Sequence, residues 1–183
     1  MLNTNQIDVN SSNIGGDFVG RDKHITNNNY SSISPFSSIL KEIRENNHSK
    51  TDAEFLQELN EFMCAYKGDI IGLRQKLEDG NRIYSLEYAE DQKERYSKMI
   101  LKSATLPLEQ KLHLKLLSSI RSKFQPIYGL ISTKCSTSEI NEALQKLISE
   151  IEIQLEDDPL NINREGIDGI IYYLTGNCFI KWN

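Results

Sequence analysis

Two different hydrophobic periods divide the chain near residue 34. Before it, apolar residues come singly or in pairs between turn formers. Ile7 and Val9 alternate with polar neighbours, Ile14 precedes Gly15-Gly16, Phe18-Val19 precedes Gly20, and Ile25 sits in His24-Ile25-Thr26 ahead of an asparagine run. Glycine and asparagine tolerate positive φ, so this spacing predicts short strands joined by tight turns, a β-arch or solenoid-like turn. The competing reading is a polar disordered tail. A unit this small buries too little to hold itself together. If ordered, it pairs through its exposed edges with copies of itself or with a partner.

From Ser34 the period becomes helical. Ser34 is a candidate cap with Pro35 at the first helical position, followed by Phe36, Ile39, Leu40 and Ile43. Thr51-Asp52-Ala53-Glu54 reads as a capping box, with Phe55, Leu56, Leu59, Phe62, Met63 and Tyr66 on one face. A shorter helix with Ile70, Ile71, Leu73 and Leu77 runs to Gly80, expected to be a left-handed cap. Leu86, Ala89, Tyr96, Met99 and Ile100 mark the next helix, whose outer face is the charged run Glu90 to Arg95. After Leu106-Pro107 a long helix carries Leu112, Leu116, Leu117, Ile120, Phe124 and Ile127, with Pro126 expected to kink or end it. Ser136-Thr137-Ser138-Glu139 is a second capping box, opening a helix with Ile140, Leu144, Leu147, Ile148, Ile151 and Leu155 inward that stops at Asp157-Asp158-Pro159. Asn163 is expected to cap a last helix with Ile167, Ile170, Ile171 and Leu174, ending at Gly176. The apolar run Cys178 to Trp182 then reads as a strand or a docked tail. The expected fold is mainly α: a helical bundle of about six to seven helices over residues 34–183, with a small N-terminal β-arch or solenoid-like oligomerisation element over residues 1–33.

Composition explains why the apolar fraction is only 38% while charged residues stand at an ordinary 26%. The diluting residues are the asparagines and serines before residue 34. The formal net charge is −5, and no basic stripe of the kind nucleic acid requires is visible. No stretch approaches the roughly 20 apolar residues of a membrane-spanning helix. Met1 to Gln6 has neither a basic nor an apolar region and is not expected to be a signal peptide. Cys64, Cys135 and Cys178 are odd in number and far apart, which suits a reducing cytoplasm.

The chain is sparing with catalytic chemistry. His24, His48 and His113 are its three histidines and none has metal-ligand spacing. His48 is expected in a solvated turn and His113 at a helix surface or boundary. Glu150, Glu152, Glu156, Asp157 and Asp158 read as a solvated helix face and end. Phosphate-binding loops, nucleophile elbows and dinucleotide fingerprints are missing from the sequence. The expectation is a chain without catalytic activity, metal or cofactor.

Two segments are more particular. Gly15, Gly16, Asp17, Val19, Gly20, Arg21, Asp22 and Lys23 lie in a turn-rich stretch where Arg21 and Asp22 could clamp adjacent copies, or simply be solvated. The aromatic C-terminal segment holds Tyr172, Tyr173, Gly176, Asn177, Cys178, Ile180, Lys181 and the sole tryptophan, Trp182. It reads either as a tail docked into its own core or as an anchor for a partner pocket.

At these segments the sequence resembles the small accessory proteins of bacterial ABC-three-component (ABC-3C) conflict systems. Those proteins carry a G-G-D-x-V-G-R-D-K type stretch and end in a helix followed by L-T-G-N-C-x-I-K-W. The C-terminal match is Leu174, Thr175, Gly176, Asn177, Cys178, Ile180, Lys181 and Trp182, and the Gly72 to Arg82 stretch is also similar. The resemblance implies a non-enzymatic component that couples an ABC-type ATPase to an effector, both encoded nearby, in defence against phage or other invading elements; with it, the chain is expected to be an adaptor whose N-terminal element drives self-association. The charge and the hydropathy, in turn, lead to the expectation of no direct contact with nucleic acid or membrane. Two rival classes remain: a nucleic-acid-binding regulator of the same operon, disfavoured by charge, and a small effector or toxin using a carboxylate with His24 or His113.

Overall fold

In the computed structural model the described residues are 34–45, 57, 59–62, 71–155 and 158–183. The N-terminal element, the Thr51–Glu54 capping box, His24, His48 and Cys64 lie outside them. The described residues belong to one compact unit, Ile33–Asn183.

Seven helices with defined bounds are α1 (Ser37–Arg44), α2 (Leu73–Asp79), α3 (Leu86–Lys102), α4 (Pro107–Lys123), α5 (Gln125–Ser132), α6 (Thr137–Gln154) and α7 (Arg164–Gly176). Residues 59–62 are also helical, and no strand occurs among the described residues. The helix starts follow local chemistry. Ser136 and Glu139 form the reciprocal capping box at α6, and the Asn163 side chain accepts from the Gly166 amide at α7. Caps of this kind are each worth about 1 kcal/mol. Ser34 Oγ does accept from the Phe36 amide at 3.2 Å, but Ser34-Pro35-Phe36 forms a separate turn and α1 begins at Ser37. The long helix after Pro107 divides at Phe124, with Pro126 in the first turn of α5. A proline is tolerated there because its amide would have no partner anyway.

Helix α7 is the centre of the bundle, packed on α3 and also touching α2, α4 and α6. The closest approach is at Gly169. A Cβ there would stand 2.8 Å from the Gln92 carbonyl oxygen and 3.1 Å from Tyr96 Cβ. Both neighbours belong to α3, so a side chain would push the two axes apart. Gln92 is buried at this crossing although it lies inside the run expected to be a charged outer face. Ala89, Gln92 and Tyr96 share one helical face, and the charged neighbours turn outward into exposed i,i+4 pairs such as Glu94–Lys98 and Asp91–Arg95. Such exposed pairs contribute little stability. Most of it comes from the apolar core: Leu77, Leu112, Leu116, Leu117, Ile120, Ile151, Ile167, Ile170 and Leu174 are all fully buried.

Candidate functional site

The two segments singled out at Gly72–Arg82 and Leu174–Trp182, about a hundred positions apart, meet in space. Each ends its helix in the same way. After α2, Asn81 takes a positive φ of 55°, and the Arg82 amide reaches back to the Leu77 carbonyl at 2.6 Å. After α7, Cys178 takes φ 67°, and the Phe179 amide reaches the Leu174 carbonyl at 2.9 Å. This closure satisfies the last carbonyls of each helix. It corrects the expectation that Gly80 is the left-handed residue: Gly80 has φ −86°. Glycine is required there for space. A Cβ on Gly80 would lie 2.5 Å from Trp182 Cβ and 2.9 Å from the Trp182 carbonyl oxygen.

The turn at Cys178 sends the last residues back along α7 as a docked tail. Trp182 is 5% exposed and Ile180 2%. The indole N–H donates to Thr175 Oγ1 at 3.2 Å, Phe124 meets the ring edge-on with centroids 5.1 Å apart, and the Arg82 guanidinium lies 4.5 Å above it. Arg82 is held in turn by Asn141 Oδ1 at 2.8 Å. Desolvation pulls the Arg82 pKa down, and Tyr84 and Tyr172 oppose that shift. On the other side of the tail, Phe179 packs on Phe62 and under Arg121, and the Asn177 side chain donates to the Phe62 carbonyl. Lys76 is buried, with Nζ donating to the Thr175 carbonyl and lying 3.1 Å from Cys178 Sγ. Gly176 is buried, Lys181 is exposed, and Tyr173 is buried edge-on against Tyr96. The stretch from Gly15 to Lys23 lies outside the described residues. The C-terminal motif and the α2 segment are therefore two halves of one clasp.

Beside the clasp is a surface that the sequence reading overlooked. The turn Ile83–Ser85 leaves Tyr84 71% exposed, and Ile83 and Tyr88 are also exposed large apolar residues. Tyr172, half-buried, meets Tyr88 edge-on at 6.0 Å. Tyr88 donates its hydroxyl to Asp168 Oδ2 at 2.8 Å. Burial first, and Asp168 second, push the Tyr88 pKa well up, while burial raises the Asp168 carboxyl despite that hydrogen bond. The result is an exposed aromatic face in which Tyr88 and Tyr172 are anchored and Tyr84 projects into solvent. Only the spacing Tyr84, Tyr88 hinted at it in the sequence.

His113, expected at a surface or boundary, is fully buried. It lies in a polar string. Ser103 donates to Glu109 Oε2 at 2.6 Å, so its oxygen accepts from His113 Nε2–H at 3.3 Å, and His113 Nδ1 accepts from Tyr96 OH at 3.2 Å. That order requires the neutral ring, and desolvation lowers the His113 pKa from 6.5 to about 4. The Ser103 proton faces a carboxylate, and Ser103, His113 and Tyr96 are all buried. The string ties α4 to α3 and to the turn between them. Among the described residues no group of three or more His, Cys, Asp or Glu side chains is arranged to hold a metal ion, and no helix is long and apolar enough to cross a membrane.

No curated protein and no solved structure matches the chain. A family model does, over residues 72–182, from the glycine that opens α2 to the tryptophan that closes the clasp. That span covers more than half of the sequence, and the chain belongs to the family of C-terminal domain 9 of the ABC-three component (ABC-3C) systems.

Proposed function

We propose that this chain is a non-catalytic adaptor of an anti-phage ABC-3C system, coupling an ABC-type ATPase to an effector and self-associating through residues 1–33. The observation that carries the reading is the anchored tyrosine face of Ile83, Tyr84, Tyr88 and Tyr172 within the family domain. Tyrosines such as Tyr88 and Tyr172, held by Asp168 and by each other before binding, lose little entropy on contact, and tyrosines are frequent interface hot spots. The clasp supports the reading by fixing Arg82, and so the turn that presents Tyr84, against Trp182.

The test is co-expression with the products of neighbouring genes and capture on a tag. The wild-type chain is expected to retain the ATPase subunit. The double variant Tyr84→Ala, Tyr88→Ala is expected to lose it by at least about tenfold, as removal of two hot-spot side chains implies, with an unchanged circular dichroism spectrum. Undiminished capture would move the docking site elsewhere. Self-association is tested separately by light scattering. The full chain is expected to form a larger species than a chain beginning at Ser34, and equal monomers at micromolar concentration would remove the role of residues 1–33.

A further inference from the structure

The Lys76–Cys178 contact has a chemistry that neither the family nor the adaptor reading uses. Lys76 is 5% exposed. Among the described residues it makes no ion pair with a carboxylate: its partners are the Thr175 carbonyl and the Cys178 thiol. Burying an ammonium without an acid is costly. Cys178, in contrast, is half-buried and within reach of small solutes. Its positive φ and the closure of the α7 terminus hold Sγ 3.1 Å from Lys76 Nζ, close enough for a single oxygen atom to join them after a small movement.

We propose that Cys178 and Lys76 form a reversible N–O–S bridge when the protein meets peroxide, making the clasp an oxidant-responsive site. In the first step one peroxide takes two electrons from sulfur. The S–H bond breaks, an S–O bond forms, and the sulfenic acid and one water result. In the second step another peroxide takes two electrons from nitrogen. The ammonium first releases a proton to water; one N–H bond of the resulting amine and the sulfenic O–H bond then break, N–O forms, and two waters leave. The bridge replaces a buried ammonium with a neutral nitrogen and ties α2 covalently to the turn after α7. A link that closes so long a loop stabilises in the manner of a disulfide. Cys135 is an internal control, since it is similarly half-buried but lies against the Thr133 hydroxyl.

The experiment uses the full chain and hydrogen peroxide at neutral pH, followed by digestion and peptide mass mapping with and without dithiothreitol. The expected result is a Lys76 peptide joined to the Cys178 peptide, heavier than their sum by one oxygen less two hydrogens and released by dithiothreitol. The oxidised chain is expected to melt roughly 5–10 °C higher. Lys76→Arg keeps the charge without a primary amine and is expected to abolish the link, leaving Cys178 to proceed to sulfinic acid. Cys178 oxidised in the wild-type chain with the Lys76 peptide free overturns the proposal. So does an equal yield of linked peptide from urea-unfolded protein, because the fold would then play no part.

Discussion

Trp182→Ala lowers the melting temperature by roughly 10 °C, corresponding to a loss of about 3–5 kcal/mol, even though it removes the penultimate side chain of the chain. Terminal residues usually tolerate change because little is packed on them. Here the indole is 5% exposed, receives Phe124 on its edge and Arg82 on its face, and donates to Thr175. Alanine removes all three contacts and leaves Thr175 Oγ1 without its donor. Because the chain has a single tryptophan, the melt must be followed by far-ultraviolet circular dichroism. Trp182→Phe retains the ring without the N–H and is expected to fall between the two. A melting temperature within about 2 °C of wild type for the alanine variant would show that the tail is not part of the core. The prediction separates from that for Tyr84 and Tyr88, whose loss is expected to affect capture and leave the melt alone.

The second large effect is on pH dependence. His113 has a folded pKa of about 4 against 6.5 in the unfolded chain, caused by desolvation. The unfolded chain therefore binds more protons between these values, and stability rises with pH. His113 contributes its full stabilisation above pH 6.5 and loses it progressively towards pH 4. Across that window the loss is about 2–3 kcal/mol. Carboxyl groups with shifted pKa values also contribute. The raised Asp168 carboxyl contributes in the opposite sense, and the lowered Glu139 and Glu150 in the same sense at more acidic pH. The variant His113→Gln isolates the histidine, because an amide can donate to Ser103 and accept from Tyr96 without titrating. Urea unfolding at pH 7 and pH 4.5 is expected to show wild type losing about 2–3 kcal/mol more than the variant. Equal losses would mean that protonated His113 is accommodated in the folded chain.

Some of this was readable in the sequence, and the reasons differ by residue. The capping box at Ser136 and the cap at Asn163 depend on groups within three positions of one another, so their spacing alone predicts them. The break near Pro126 follows from ring geometry. The role of Gly80 is not legible locally, for a specific reason. A glycine after a helix most often supplies positive φ, but here Asn81 does so and the glycine makes room for Trp182, a neighbour distant in sequence. The lysines flanking His113 suggest a surface. The helix turns Lys111 and Lys115 outward and His113 inward, and only the positions of Tyr96 and Ser103 make burial of an imidazole tolerable.

The sequence by itself determined the helical class of the body, the caps at Ser136 and Asn163, and the motifs at Gly72–Arg82 and Leu174–Trp182, because periodicity, capping and motif identity are local properties. Tertiary structure alone decided what those segments do. Residues some hundred positions apart became one clasp, a histidine became part of a buried string, and Tyr84 and Tyr88 became a face beside Arg82. Each of those outcomes depends on which helix surfaces meet in the folded bundle, and no local pattern encodes that meeting.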